Sequence, residues 1–288
     1  MRIIIHADDF GMTKSINGAI IELLKCKTLS STSIMANMPF TQEAEKLLEI
    51  DDISLGLHST FTQGKPVTDP AKVPSLVDSN GHFLSYDNLV QREKANKIVL
   101  ADILTELESQ YAKVKKIIGD KLVFIDSHHS IHNKLKTFRE AFIQFGNKHQ
   151  IKAIRNRRLL YLEMRNDKVR MVDPTIFKFP GYSLKNIATN YYYKYYSSQF
   201  EKHFKVPKGQ LVVSKKDSIY LFEYVENLLN QNLNSEEVYY VVAHPATETS
   251  DLGNTNLLQQ RVIEYKKLKS ENFIKSVRKA PLINFNHL

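Results

Sequence analysis

Alternation of strand-like and helix-like stretches predicts an α/β fold, read as a (β/α) barrel or a distorted TIM-like form of one, in a single domain over residues 1–288. Three observations carry this expectation. Short runs dense in β-branched residues, such as Ile3-Ile4-Ile5 and Val238-Tyr239-Tyr240-Val241-Val242, read as strands buried on both faces. Stretches with apolar residues at helical spacing separate them. Several of the strand-like runs end abruptly in a polar residue, and in parallel α/β folds that end of the strand is where ligands bind.

The first run delivers Asp8 and Asp9 to a loop marked by Gly11. Neighbouring strand residues point to opposite sides, so the two carboxylates share one site only if the backbone turns there, a turn for which Gly11 is suited. The alternative is that they cap the helix expected over residues 15–24, whose Ile16, Ala19, Ile20, Leu23 and Leu24 form one face. A strand over 31–36, a helix over 41–49 with a Thr cap and a strand over 53–57 ending in His58 follow. Residues 59–86 lose periodicity and collect Gly64, Pro66, Pro70, Pro74 and Gly81, which marks a long loop leaving directly from His58. Helices over 88–96 and 101–118 come next, the second stopped by Gly119. The strand over 122–125 runs into Asp126-Ser127-His128-His129-Ser130-Ile131-His132, the densest cluster of metal-capable side chains in the chain. A helix over 136–149 and a strand over 151–154 ending in Arg155 continue the alternation.

That alternation fades in an irregular insertion around 159–207. There Tyr191-Tyr192-Tyr193-Lys194-Tyr195-Tyr196 reads as a partly buried helical excursion, with a sugar-stacking face as the sharper alternative. A strand over 210–214 and a helix over 218–229 lead to the strand over 238–243, which ends in His244-Pro245. Helices over 255–268 and 271–278 and a last strand over 282–285 complete the expected order.

The net charge of +9 comes from lysines and arginines scattered over many segments, which fits a solvated basic surface better than a nucleic-acid interface. Cys26, the sole cysteine, excludes an internal disulfide and a cysteine zinc site, and its expected place is a helix core. The first residues lack the pattern of a signal peptide and no stretch is apolar enough for a membrane span, so the expected location is the cytoplasm. A homodimer is the default assembly.

Parallel strands would bring Asp8, Asp9, His58, His128, Arg155 and His244 to one edge of the sheet, although they lie far apart in sequence. Each alone has a bland explanation; their convergence points to a metal site. One carboxylate with two imidazoles is a common set for a divalent ion with open positions, here Asp9, His58 and His128. Such an ion activates water and polarises a carbonyl. Asp8 is then placed as the base, His244 as the acid on the opposite side, and Arg155 as the group that orients or tunes the base.

The phrases His-Ala-Asp-Asp-Phe-Gly (6–11), Gly-Leu-His-Ser-Thr-Phe-Thr-Gln-Gly-Lys-Pro (56–66), Ile-Asp-Ser-His-His-Ser-Ile-His (125–132) and Ala-His-Pro-Ala (243–246) resemble the YdjC-like family, which includes the chitin disaccharide deacetylases. The resemblance spans most of the chain in the correct order. It implies a barrel-like fold, metal-dependent removal of acetyl groups from N-acetylated sugars, ion binding by Asp9, His58 and His128, and catalytic roles for Asp8 and His244. It points to magnesium, whereas the ligand chemistry suits zinc or another transition metal. The sequence departs from the family at His6, where Asn is common, and at Ser130, where a further His is common; contacts behind the ligands or the choice of substrate would change there. His129 and His132 are candidates for supporting the ion or touching substrate, against the alternative of a solvent-exposed pair. Rival functions are a phosphoesterase on the same scaffold and a carbohydrate-binding protein without catalysis.

Overall fold

The β-branched run near the N-terminus forms β1 (Arg2–Phe10), whose interior is wholly buried as expected of a strand covered on both faces. The structure, a computed structural model, describes residues 1–175, 184–231, 235–253 and 257–288. After β1 come α1 (Lys14–Lys25), β2 (Ser31–Ile34), β3 (Ser54–Ser59), α2 (Tyr86–Lys94), α3 (Leu100–Ile118) and β4 (Leu122–Ser127). They are followed by α4 (Ile131–Lys134), α5 (Lys136–Lys148), β5 (Ala153–Ile154), β6 (Leu159–Arg165), β7 (Lys168–Val172) and α6 (Leu184–Phe200). The last elements are β8 (Gly209–Val212), α7 (Leu221–Asn230), β9 (Val238–Ala243), α8 (Leu258–Leu268) and α9 (Glu271–Lys279).

The nine strands form one sheet in the order β5-β4-β3-β2-β1-β9-β8-β6-β7, parallel throughout except for the β6–β7 hairpin. The α/β class and mostly parallel sheet match expectation, but the sheet is not closed into a barrel. An isolated bridge links Ala153 to Lys205 on the approach to β8, with Lys205 N donating to Lys152 O at 2.8 Å. Beyond Ile154 the bridge is not continued, and the next carbonyls are engaged by side chains: His132 Nε2 lies 2.7 Å from the Arg155 carbonyl, and the Tyr240 hydroxyl donates to the Asn156 carbonyl.

Alternation along β1 sorts its residues onto two faces. Ile3, Ile5 and Ala7 join the large core that the helices cover. Ile4 faces a second cluster with Phe124, Ala153, Tyr240 and Phe285, and on the same alternation His6 and Asp8 follow toward the polar edge. The tail supplies a plug where a last strand was expected: Ile283 N donates to Ile3 O at 3.0 Å, and Phe285 stacks on Phe124 with centroids 4.2 Å apart. Gly56 on β3 leaves room for that pair, since a Cβ there would meet Phe124 Cε2 at 2.4 Å.

Local details depart from expectation in three further places. Thr13, and neither aspartate, caps α1, its hydroxyl accepting from Ile16 N. Residues 41–49 form a 3-10 helix without a side-chain cap, because the Thr41 hydroxyl is engaged by the Met35 and Met38 carbonyls at 2.6 and 2.7 Å. Cys26 is the half-buried C-cap of α1 and not a core residue. Gly119 does end α3, with φ of 59°. Residues 255 and 256 of the helix expected over 255–268 lie outside the described residues, and α8 covers Leu258–Leu268.

Candidate metal and catalytic site

Register places the polar strand ends together. Ala7 pairs with Ala243 and His58 with Asp126, so the ends of β1, β9, β3 and β4 open on the same edge. The β1–β2 register breaks between Ala7 and Phe10, and Asp9 there has φ of +72°. This bulge with a left-handed residue turns the second of two adjacent carboxylates back, which lets Asp8 and Asp9 face one site. The turn sits on Asp9 itself, ahead of Gly11. After β4 the chain turns sharply again, through left-handed His129 and Ser130, and His128 is carried over Asp9.

Asp9, His58 and His128 each offer one donor atom, all within 4.8 Å of one another. Asp9 Oδ1 is 3.5 Å from His58 Nε2 and 3.2 Å from His128 Nδ1. Among the described residues, Asp9 Oδ1 and His58 Nε2 are buried without a hydrogen-bond partner. Orphaned buried atoms of this kind are costly unless something binds them, and one carboxylate with two imidazoles fits a divalent ion. Asp126, fully buried, holds the other side of the His58 ring with Oδ1 2.6 Å from Nδ1, while the Ser33 hydroxyl donates to its Oδ2 at 3.1 Å.

Asp8 is held by both ends of the Arg155 guanidinium, with Nη2 at 3.0 Å from Oδ2, and by His6 Nε2 at 2.9 Å from Oδ1. Burial alone would raise the Asp8 carboxyl, but the Arg155 charge, reinforced by His58 and His6, holds it well below the usual carboxylate range. Asp9 behaves likewise: burial opposes ionisation, and His128, His58 and Arg261 outweigh it. Burial would lower His58, yet the Asp126 and Asp8 charges raise it to about 10. His244 Nε2 lies 3.8 Å from Asp8 Oδ2, and desolvation lowers its imidazole to about 4 against the pull of Asp8 and Asp9.

A cavity of about 660 Å³ opens over these groups, lined by Asp8, Asp9, His128, Arg155 and His244 together with Lys134, Arg157, Arg261 and Glu264. Of the six residues singled out in the sequence, His58 alone does not line it, lying buried behind Asp9. His129 lines the cavity, its Nδ1 3.0 Å from the Thr62 hydroxyl, whereas His132 is fully buried and holds Ser127 and the Arg155 carbonyl, which removes the exposed-pair reading for it. The tyrosine run is indeed helical, in α6, but its rings pack on arginines: Tyr193 under Arg157, which itself lines the cavity, at 5.4 Å, and Tyr196 under Arg139 at 3.3 Å. Its residues are absent from the cavity lining among the described residues, so the sugar-stacking option finds no support there. Sequence reasoning missed the contributions of Asp126, Arg261 and Glu264. Asp126 was visible at a strand end; the two α8 residues gave no signal, since helical spacing does not reveal that their face meets β1.

Comparison with known proteins places the chain in a family. A family profile described as YdjC-like protein matches residues 2–279. A carbohydrate deacetylase of Thermoanaerobacter pseudethanolicus is 37% identical over 52% of the chain, and one of Enterococcus faecalis is 32% identical over 62%. A chitooligosaccharide deacetylase of Serratia marcescens is 34% identical over 49%. These matches span 58%, 68% and 55% of the respective relatives, so the chain aligns with little more than half of the first of them. A crystal structure from Enterococcus faecalis V583, described as a candidate cellobiose-phosphate cleavage protein, superposes with a TM-score of 0.74 at 25% identity, covering 99% of this chain and 97% of that one. With the profile extending over nearly its whole length, the chain belongs to the YdjC-like family.

Proposed function

We propose that the protein is a metal-dependent hydrolase that removes acetyl groups from N-acetylated sugars. The observation that carries this reading is the pair of orphaned donor atoms, Asp9 Oδ1 and His58 Nε2, beside His128 and next to an ionised, non-ligating Asp8. The names of the aligned relatives, carbohydrate and chitooligosaccharide deacetylases, support the substrate class. Asp9, His58 and His128 would hold the ion, with zinc or another transition metal favoured by the imidazoles and magnesium by the family resemblance. When bound, such an ion activates water and polarises the acetyl carbonyl.

The surrounding side chains supply proton handling. Asp8 accepts the proton of the attacking water on a carboxylate that Arg155 and His6 keep ionised and fixed in orientation. That same stabilisation makes Asp8 a weak base, so its proton moves on readily. His244 Nε2, 3.8 Å from Asp8 Oδ2, is the neighbouring carrier and delivers a proton to the departing sugar nitrogen. Acetate and a free amino sugar result.

One feature of the cavity refines the substrate. Arg157 donates through Nη1 to the Ser130 hydroxyl at 3.3 Å, and its buried Nε has no partner among the described residues. Lys134 beside it is lowered to about 8 by burial and then by the Arg157 charge. Two cations placed side by side favour a substrate with an anionic group, which agrees with the description of the Enterococcus structure in terms of a sugar phosphate. The phosphoesterase alternative rests on the same corner. Assays for acetate and for inorganic phosphate on N-acetylated sugars, with and without a phosphate ester, separate the two: acetate alone supports deacetylation, and phosphate alone contradicts it.

A further inference from the structure

Arg261 on α8 makes a buried contact that the proposed reaction leaves without a role. Its Nη2 donates to Asp9 Oδ2 at 2.5 Å, between side chains 5% and 2% exposed. The arginine is anchored from behind, since its own backbone carbonyl accepts from Ala246 N at 3.2 Å. One turn later on the same helix, Glu264 accepts from His244 N at 2.6 Å. Asp9 therefore has two unlike oxygens. Oδ2 is occupied by the guanidinium, and Oδ1 alone faces His58 and His128.

A carboxylate free to rotate can offer both oxygens to a cation, which is how large, oxygen-rich calcium sites reach their coordination number. A carboxylate with one oxygen tied to a guanidinium offers a single oxygen. We infer that Arg261 is a positioning residue that makes Asp9 a one-oxygen ligand and so restricts the Asp9–His58–His128 site to small divalent ions, disfavouring calcium. The inference rests on the reading of the triad as an ion site, and is independent of the substrate and of the reaction. It differs from simple charge compensation, because Nη2 alone of the guanidinium nitrogens meets Oδ2, and lysine would keep the charge yet carry it on a shorter, freely rotating ammonium that does not hold one oxygen in a fixed direction.

The test uses the full chain stripped of ions by a chelator. Zinc, manganese and calcium are titrated separately into the unmodified protein, Arg261→Lys and Arg261→Ala, with thermal unfolding recorded for each. The expected result is that both variants bind zinc or manganese roughly tenfold or more weakly, while their preference for these ions over calcium narrows. Where Arg261→Ala does not fold, Arg261→Lys decides alone. Folded variants with an unchanged preference over calcium would overturn the inference and leave the ion site standing. Failure of the unmodified protein to bind any of these ions, or magnesium titrated in the same way, would overturn the ion site itself, and the inference with it.

Discussion

Asp126 Oδ1 stands 2.6 Å from His58 Nδ1, and this contact decides which nitrogen of the ring faces Asp9. Burial would raise the Asp126 carboxyl, but Arg155 and His58 keep it far below its ordinary value, so it accepts the Nδ1 proton. Nε2 is thereby turned toward Asp9, where the proposed ion would meet it, and the same arrangement fixes ring orientation behind many metal-bound histidines. Asp126→Asn keeps the shape and loses the charge. Ion affinity measured by chelator competition is expected to fall roughly 10–100-fold; affinity equal to that of the unmodified protein would remove Asp126 from the support of His58.

Asp8 and His128 separate chemistry from binding. Asp8→Asn is expected to abolish turnover with near-normal ion content, because Asp8 is engaged by Arg155 and His6 and is not one of the three proposed ligands. His128→Ala is expected to lose the ion. Elemental analysis paired with turnover rates checks both, and full activity in Asp8→Asn would exclude it as the base.

The pH response of stability should carry the signature of Glu264. Burial raises its carboxyl from the ordinary glutamate value of 4.5 to about 7, against the His244 backbone N–H and the Gln260 amide. Between those values the folded state keeps a proton that the unfolded state has released, so this residue's contribution falls as pH rises from 4.5 to 7 and is constant above. Glu264→Gln removes that slope. Urea midpoints of the two proteins across the interval should diverge in favour of the variant as pH rises; a constant difference would contradict the assignment.

Packing beneath the site is tight at β3. Gly56→Ala would force its new methyl against the Phe124 ring, which Phe285 already covers, two residues before His58. A loss of roughly 1–3 kcal/mol is expected from overpacking, read from denaturant unfolding. Unchanged stability would show that the ring pair can shift.

What the sequence disclosed follows from how its elements are stabilised. Strands β1, β4 and β9 were legible because burial on both faces demands near-continuous apolar runs, and their ends then placed Asp9, His128 and His244 on one edge. The β6–β7 hairpin was not, because Leu159–Arg165 mixes charges into a strand that is only half buried. Closure into a barrel was misjudged since it depends on backbone pairing between distant strands, and nothing in the sequence around Arg155 says that His132 and Tyr240 meet the carbonyls of Arg155 and Asn156. Arg261 reaches Asp9 across 252 residues, a pairing set by tertiary packing alone.

The most direct test of the central claim is acetate release from N,N′-diacetylchitobiose and related N-acetylated sugars, first with chelator-stripped protein and then with zinc, manganese, cobalt or magnesium restored singly. Acetate that is absent without an ion and returns with one is the predicted result, and the ion that restores it identifies the natural partner of Asp9, His58 and His128. Acetate at the same rate with and without ion would contradict a metal-dependent mechanism, and stoichiometric ion binding with no acetate from any sugar would contradict the substrate class.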